Sequence, residues 1–264
     1  MQQSMGTALV TGASSGIGAL YADRLAQQGY DLIIVARSAE RLERVASAIR
    51  AKTGRTVETL IADLTVGSDV AVVADRLGRD PRITMLVNNA GIGATAPLLQ
   101  SDPRVMSEMI ALNVDALMHL TYAAVPVFVA RERGTIVNIA SIVAITPETL
   151  NGVYGATKAF VLALSQSLHH ELTGTGVHVQ VVLPGATATD FWDAAGLPVH
   201  HLPSEIVMPA EALVDAALVG LAAREFVTIP GLHDAGEWDA YEAARQAMAD
   251  NLSTNRPADR YLAG

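Results

Sequence analysis

Ala8-Leu9-Val10-Thr11-Gly12-Ala13-Ser14-Ser15-Gly16-Ile17-Gly18 is the stretch on which the fold turns. A short aliphatic run ends at Thr11, and a segment of helical period begins near residue 17. Gly12, Gly16 and Gly18 between them let the backbone turn tightly and come close to a ligand. A helix that starts at such a turn offers unpaired amides and a partial positive charge, which suit a pyrophosphate. The spacing is TGxxxGxG rather than GxGxxG, with the same physics. The candidate cofactor-binding residues here are Gly12, Ser14, Ser15, Gly16, Ile17 and Gly18. The competing reading is a tight strand-to-helix turn with no ligand.

Outward from this turn, the chain alternates apolar runs with longer helical ones. Strands are expected at Ala8–Thr11, Asp31–Ala36, Val57–Ala62, Met85–Asn88, Thr135–Ile139, Val177–Leu183 and Phe226–Ile229. Helices are expected near residues 17–28, 39–52, 68–79, 102–131, 152–174 and 209–223. Such alternation predicts an α/β fold, a doubly wound parallel sheet of about seven strands flanked by helices on both faces. Strands as uniformly apolar as Leu32-Ile33-Ile34-Val35 fit burial on both sides. One domain over residues 1–264 is expected. Residues 184–208 break the alternation and read as a long loop with a short helix, its part from about 186 to 208 a substrate-binding loop. A last helix is expected over about 236–250 as a C-terminal extension.

Composition narrows the classes. Of 264 residues, 50% are hydrophobic and 17% charged, which excludes a disordered chain. The net charge of −9 and the lack of a basic cluster argue against a nucleic-acid partner. With no cysteine, disulfides and thiolate metal sites are excluded. The start, MQQSMGTALV, does not read as a signal peptide. The apolar stretch Leu117 to Ala130 is interrupted by His119 and Pro126 and is too short to span a bilayer, so no membrane role and a cytoplasmic location are expected.

Two further sites bear on chemistry. The second strand ends at Ala36-Arg37-Ser38. A carboxylate there would bind a ribose 2′-hydroxyl and repel a 2′-phosphate, whereas the Arg37 fork can hold that phosphate, so NADP is expected over NAD. The competing reading of Arg37 is a solvated surface charge. Tyr154 and Lys158 stand at i and i+4 of an expected helix, on one face. A free phenol titrates at about 10, and lowering it to about 7 takes about 4 kcal/mol. One positive charge about 4 Å away supplies about that much at an effective dielectric of about 20. Ser141, after the fifth strand, is placed to hydrogen-bond a substrate carbonyl. Asn113, inside a helical stretch, reads either as an ordinary Asn or as the holder of a water that relays protons to Lys158.

Together these elements resemble the short-chain dehydrogenase/reductase family, from residue 6 to about 230. The resemblance rests on TGASSGIG at 11–18, Asp63-Leu64, Asn88-Asn89-Ala90-Gly91, Asn113, Ser141, Tyr154-Gly155-Ala156-Thr157-Lys158 and Pro184-Gly185 with Thr189. It implies a Rossmann-type domain with Tyr154 as proton donor or acceptor. Lys158 would depress the tyrosine and bind the nicotinamide ribose, Ser141 would polarise the carbonyl, and Asn113 would position the relay water. It further implies that Asp63 and Leu64 sit at the adenine and that Asn89, Ala90 and Gly91 line the cofactor cleft. Pro184, Gly185, Thr187 and Thr189 would cover the nicotinamide and pyrophosphate. Two departures stand out. Ser15 occupies a position where many NADP-using relatives carry a basic residue, and Ile229-Pro230-Gly231-Leu232-His233 replaces the glycine-rich ending common in the family. A homo-oligomer, dimer or tetramer, is expected.

His169-His170 and His200-His201 lack a carboxylate pattern that would complete a metal site, so no metal is expected. Phe191 and Trp192 either close an apolar pocket or anchor the loop. Gly93, Ile142, Val143 and Asn151 are expected to shape the pocket, and their apolar bias points to a hydrophobic carbonyl. The reading is an NADP(H)-dependent carbonyl reductase or alcohol dehydrogenase acting on a ketone or aldehyde. The alternatives are a non-catalytic NADP-binding regulator and an NAD-dependent alcohol dehydrogenase.

Overall fold

A computed structural model of the chain describes residues 5–262. In chain order its elements are β1 (Thr7–Thr11), α1 (Gly16–Gln27), β2 (Asp31–Ala36), α2 (Ala39–Thr53), β3 (Val57–Ile61), α3 (Gly67–Arg79) and β4 (Ile83–Asn88). There follow α4 (Pro103–Ile110), α5 (Leu117–Ala130), β5 (Gly134–Ile139), α6 (Gly152–Glu171) and β6 (Val177–Val182). The rest of this part is β7 (Thr187–Ala188), α7 (Phe191–Ala194), β8 (Met208–Pro209), α8 (Ala210–Ala222) and β9 (Val227–Thr228).

Seven strands pair in parallel in the order β3-β2-β1-β4-β5-β6-β9, the doubly wound sheet expected from the alternation. The uniformly apolar strands follow from burial on both faces. In β1, Ala8 and Val10 pack with Tyr21 of α1, Leu42 of α2 and Leu213 of α8. Leu9 faces the other way, toward Val73 of α3, Leu120 of α5 and Leu168 of α6. The strand order reverses between β1 and β4, so their C-terminal ends open the crevice where open α/β sheets place ligands.

Buried side chains tie the middle of the sheet to its helices. Asn88 of β4 lies opposite Asn138 of β5 and donates to its Oδ1 at 2.9 Å and to Thr121 Oγ1 at 3.1 Å. Asn138 in turn donates to Ser165 Oγ of α6 at 2.9 Å.

Two expectations need correction. Residues 103–130 run on as one helix of 28 residues, long and apolar enough by length and composition to cross a bilayer, so the shorter count from Leu117 was an underestimate. Its inner face, including Leu120, Ala124 and Phe128, is buried in the core. Within it, residues 111–116 form a π-helical turn, a local widening common at functional sites. In the long loop, β7 and β8 form a short parallel pair in addition to the expected short helix.

The chain divides into two compact units, one ending at Pro230 and one beginning at Gly231. The second holds α9 (Ala235–Ala247), started by Asp234, whose carboxylate accepts from the Gly236 amide at 2.9 Å. The rings of Trp238 and Tyr241 meet along this helix, centroids 5.3 Å apart.

Candidate active site

The glycine turn is built by sterics. Gly12 and Gly16 have φ of +66° and +53°, a region costly for other residues. A Cβ on Gly18 would collide with the Gly12 carbonyl and the Asn89 amide. Thr11 Oγ1 accepts from the amides of Asn89 and Ala90, both at 3.0 Å. Asn89 Nδ2 donates to the carbonyl oxygens of Thr11 at 2.9 Å and Gly12 at 3.2 Å. The Asn89 side chain therefore braces the turn from β4. No side chain caps the start of α1, which leaves its first amides facing the crevice mouth. Thr189 comes over the turn, within 3.4 Å of where a Gly16 Cβ would stand.

Arg37 is 66% exposed and lies 3.8 Å from the Asp63 carboxylate. The amide and hydroxyl of Thr65 hydrogen-bond Asp63, and with Arg37 nearby they hold its carboxyl below the ordinary range. Leu64 is buried in the core beside them.

At the other end of the crevice, Asn151 starts α6. Its Oδ1 accepts from the amides of Val153 at 2.9 Å and Tyr154 at 3.4 Å. Its Nδ2 donates to the Ala96 carbonyl at 2.6 Å and to Ser101 Oγ at 3.0 Å. This cap sets the helix phase that turns Tyr154 and Lys158 inward, and both are buried. Lys158 Nζ donates to the Ile139 carbonyl at 2.9 Å and stands 5.8 Å from the Tyr154 ring centroid. The Ser141 hydroxyl donates to the Pro184 carbonyl at 3.3 Å and accepts from the Val143 amide at 3.4 Å. The Ile142 amide meets that same carbonyl at 3.0 Å, which draws Pro184 and Gly185 toward Ser141. Thr187 Oγ1 donates back to the Gly185 carbonyl at 3.0 Å.

Asn113 occupies the π turn and clamps the segment after β4. Its Oδ1 accepts from the Ile92 amide at 3.0 Å, and its Nδ2 donates to the Ile92 carbonyl at 2.8 Å and to Thr157 Oγ1 at 3.1 Å. Gly91 sits above it, where a Cβ would lie 3.1 Å from Asn113 Oδ1 and 3.6 Å from Lys158 Nζ. The structure thus gathers Asn113, Ser141, Tyr154, Lys158, Gly91 and Pro184 around one spot. The glycine turn, with Arg37 and Asp63, lies at the ends of β1, β2 and β3.

Electrostatics within the protein differ from the expected depression of the phenol. Burial pushes Tyr154 up to about 12, with the Ser141 hydroxyl pulling the other way, and pushes Lys158 down to about 8. The ammonium is directed at a backbone carbonyl and makes no hydrogen bond to the phenol, so desolvation dominates both groups. Tyr154 is therefore held as a neutral acid.

Sequence reasoning missed the parts of Thr11, Thr157 and the Asn151 cap. An Asn just ahead of a helical pattern is a start signal that could have revealed the last. Among the described residues no group of His, Cys, Asp or Glu is arranged to hold a metal, and His169 stacks on Phe226 at 4.3 Å between centroids.

A doubly wound parallel sheet with a glycine turn at its switch point and a buried Tyr–Lys pair beside it defines an α/β oxidoreductase. Residues 6–197 match the family model described as short chain dehydrogenase, and the chain belongs to the short-chain dehydrogenase/reductase family. It is similar to a short-chain dehydrogenase from Sphingobium yanoikuyae solved in complex with NADPH. The two share 49% identity and a TM-score of 0.94, covering 97% of this chain and 100% of the other. The bulky-bulky ketone specific alcohol dehydrogenase of Comamonas testosteroni is 42% identical with a TM-score of 0.91, over 99% and 100% of the two chains. An uncharacterized oxidoreductase of Staphylococcus epidermidis is 33% identical over 210 residues, 76% of this chain and 88% of the relative.

Proposed function

We propose that the protein is an NADP(H)-dependent reductase of hydrophobic ketones and aldehydes, able to run in reverse on the alcohols. The observation that carries this reading is the buried, neutral Tyr154 phenol with the Lys158 ammonium 5.8 Å from its ring centroid. The residues present fit a nicotinamide dinucleotide. Side chains are excluded at Gly12 and Gly18 because Asn89, Ala90 and the Gly12 carbonyl pack there, which keeps the turn tight, and the start of α1 has no side-chain cap on its amides, which suits a pyrophosphate. Gly12, Ser14, Ser15, Gly16, Ile17 and Gly18 would hold the phosphates, Asp63 and Leu64 would border the adenine, and Ala90 and Gly91 would form the floor. Lys158 would take the ribose hydroxyls, with Pro184, Gly185, Thr187 and Thr189 closing over the top. A bound nicotinamide supplies the hydride that the side chains of this chain cannot.

The chain's own residues do the rest. Ser141 orients the carbonyl oxygen by a hydrogen bond, and Tyr154 delivers a proton to that oxygen as negative charge develops on it. Lys158 offsets the phenolate that remains, and Asn113 holds the backbone at Ile92 that walls the site. Arg37, two-thirds exposed, is free to turn from Asp63 to a 2′-phosphate. The NADPH complex of the Sphingobium relative and the ketone specificity of the Comamonas one support this choice. We place the enzyme in the cytoplasm as a homo-oligomer, with a small-molecule substrate.

The test is NADPH and NADH oxidation followed across a panel of ketones and aldehydes. Tyr154→Phe is expected to keep NADPH affinity and lose turnover by about 10²-fold or more. Substantial activity in that variant overturns the role of Tyr154. Arg37→Asp is expected to move preference toward NADH, and an unchanged preference removes Arg37 from cofactor choice.

A further inference from the structure

Two aromatic neighbours in the loop after β6 do different things. Trp192 is 7% exposed, and its Nε1 donates to the Thr187 carbonyl at 2.9 Å, so it anchors the loop. Phe191, half-buried, reaches the catalytic phenol instead, its ring centroid 5.6 Å from that of Tyr154 with the planes at 45°. Its seat is Gly93. A Cβ on Gly93 would fall into the Phe191 ring, 2.7 Å from Cε2 and nearer still to Cζ. Next to it, the amide and hydroxyl of Thr95 both bond the Ala195 carbonyl, at 3.2 and 2.9 Å, pinning the end of α7 to the segment that carries Gly93. Met109 and Val143 lie buried in this cluster with Tyr154, and Met106, Leu150 and Val153 pack against it, none of them charged.

We propose that Phe191 is a specificity-determining size gate, seated on Gly93, that fills the place of one substituent of an uncharged ketone. This rests on the reductase reading above. A carbonyl hydrogen-bonded to Tyr154 and Ser141 brings one flank toward the Phe191 ring, because that ring packs on the phenol itself. The flank must be small, or it must push the ring aside.

The experiment compares kcat/KM for acetophenone and for butyl phenyl ketone, with NADPH, in four proteins: wild type, Phe191→Ala, Gly93→Ala and the double variant. Phe191→Ala is expected to raise the butyl-to-methyl ratio about tenfold or more. Gly93→Ala, by unseating the ring, is expected to change the ratio in wild type and to have little further effect once Phe191 is gone. Phe191→Leu, which keeps apolar bulk if the alanine variant does not fold, is expected to fall between. An unchanged ratio, a uniform loss on both ketones, or a Gly93→Ala effect of equal size with and without Phe191 overturns the gate. If wild type oxidises NADPH with neither ketone, the reductase reading falls and the gate with it. If wild type reduces both and the ratio stays put, the gate alone falls.

Discussion

Lys158 and Tyr154 are each displaced by burial toward their uncharged forms, and this fixes how pH acts on them. The ammonium falls from an ordinary 10.5 to about 8, a burial cost of up to about 3 kcal/mol. Between about 8 and 10.5 the unfolded chain holds more protons at this position than the folded one. Stability therefore rises with pH through that window, and the cost is fully present below it. Lys158→Met should accordingly unfold at higher denaturant than wild type at pH 7, lose that advantage by about pH 10.5, and be inactive throughout. Denaturant titrations at the two pH values check this, and equal stability at pH 7 would contradict it. The raised phenol keeps its proton to about 12, so reduction loses its charged helper above pH 8 before it loses its acid.

The elements set these residues in place through their ends. Asn151 both caps α6 and ties its start to the chain at Ala96 and Ser101. Asn151→Ala should cost about 2–3 kcal/mol, the sum of a lost cap and lost buried hydrogen bonds. Asn151→Ser keeps a capping oxygen and should recover part of it, measured by urea unfolding, and equal losses in both variants would remove the cap from the account. Strand and helix positions were legible in the sequence because burial on two faces forces uniform apolar runs and helices repeat at 3.6 residues. The Tyr154–Lys158 pair, Ser141 and Asn113 were legible as spacing. The π turn around Asn113 was not, and it goes with a tertiary contact, the clamp on the Ile92 backbone, that no local pattern registers. Nor was the direction in which Tyr154 titrates, which depends on how deeply it is buried. The short ladder between β7 and β8 has two residues a side, too few for a period to register.

Over the whole molecule, apolar surface remains outside the core. Tyr122 on α5 is 68% exposed and Val219 on α8 is 70% exposed, the kind of positions that a second copy would cover. Light scattering coupled to size exclusion should give a mass that is a multiple of one protomer, and a monomer at assay concentrations would refute the proposed assembly. The facing amides of Asn88 and Asn138 have a different consequence. Aliphatic strands are nearly interchangeable, and a sheet made of them alone could close one step out of alignment at little cost. Here such a misalignment would turn one amide to the opposite face, break the bond between the two, and leave the turned one dry and unanswered among hydrocarbon. The two asparagines thus act as a key in the lock of assembly, admitting the one arrangement in which the glycine turn and the tyrosine helix meet across the same crevice.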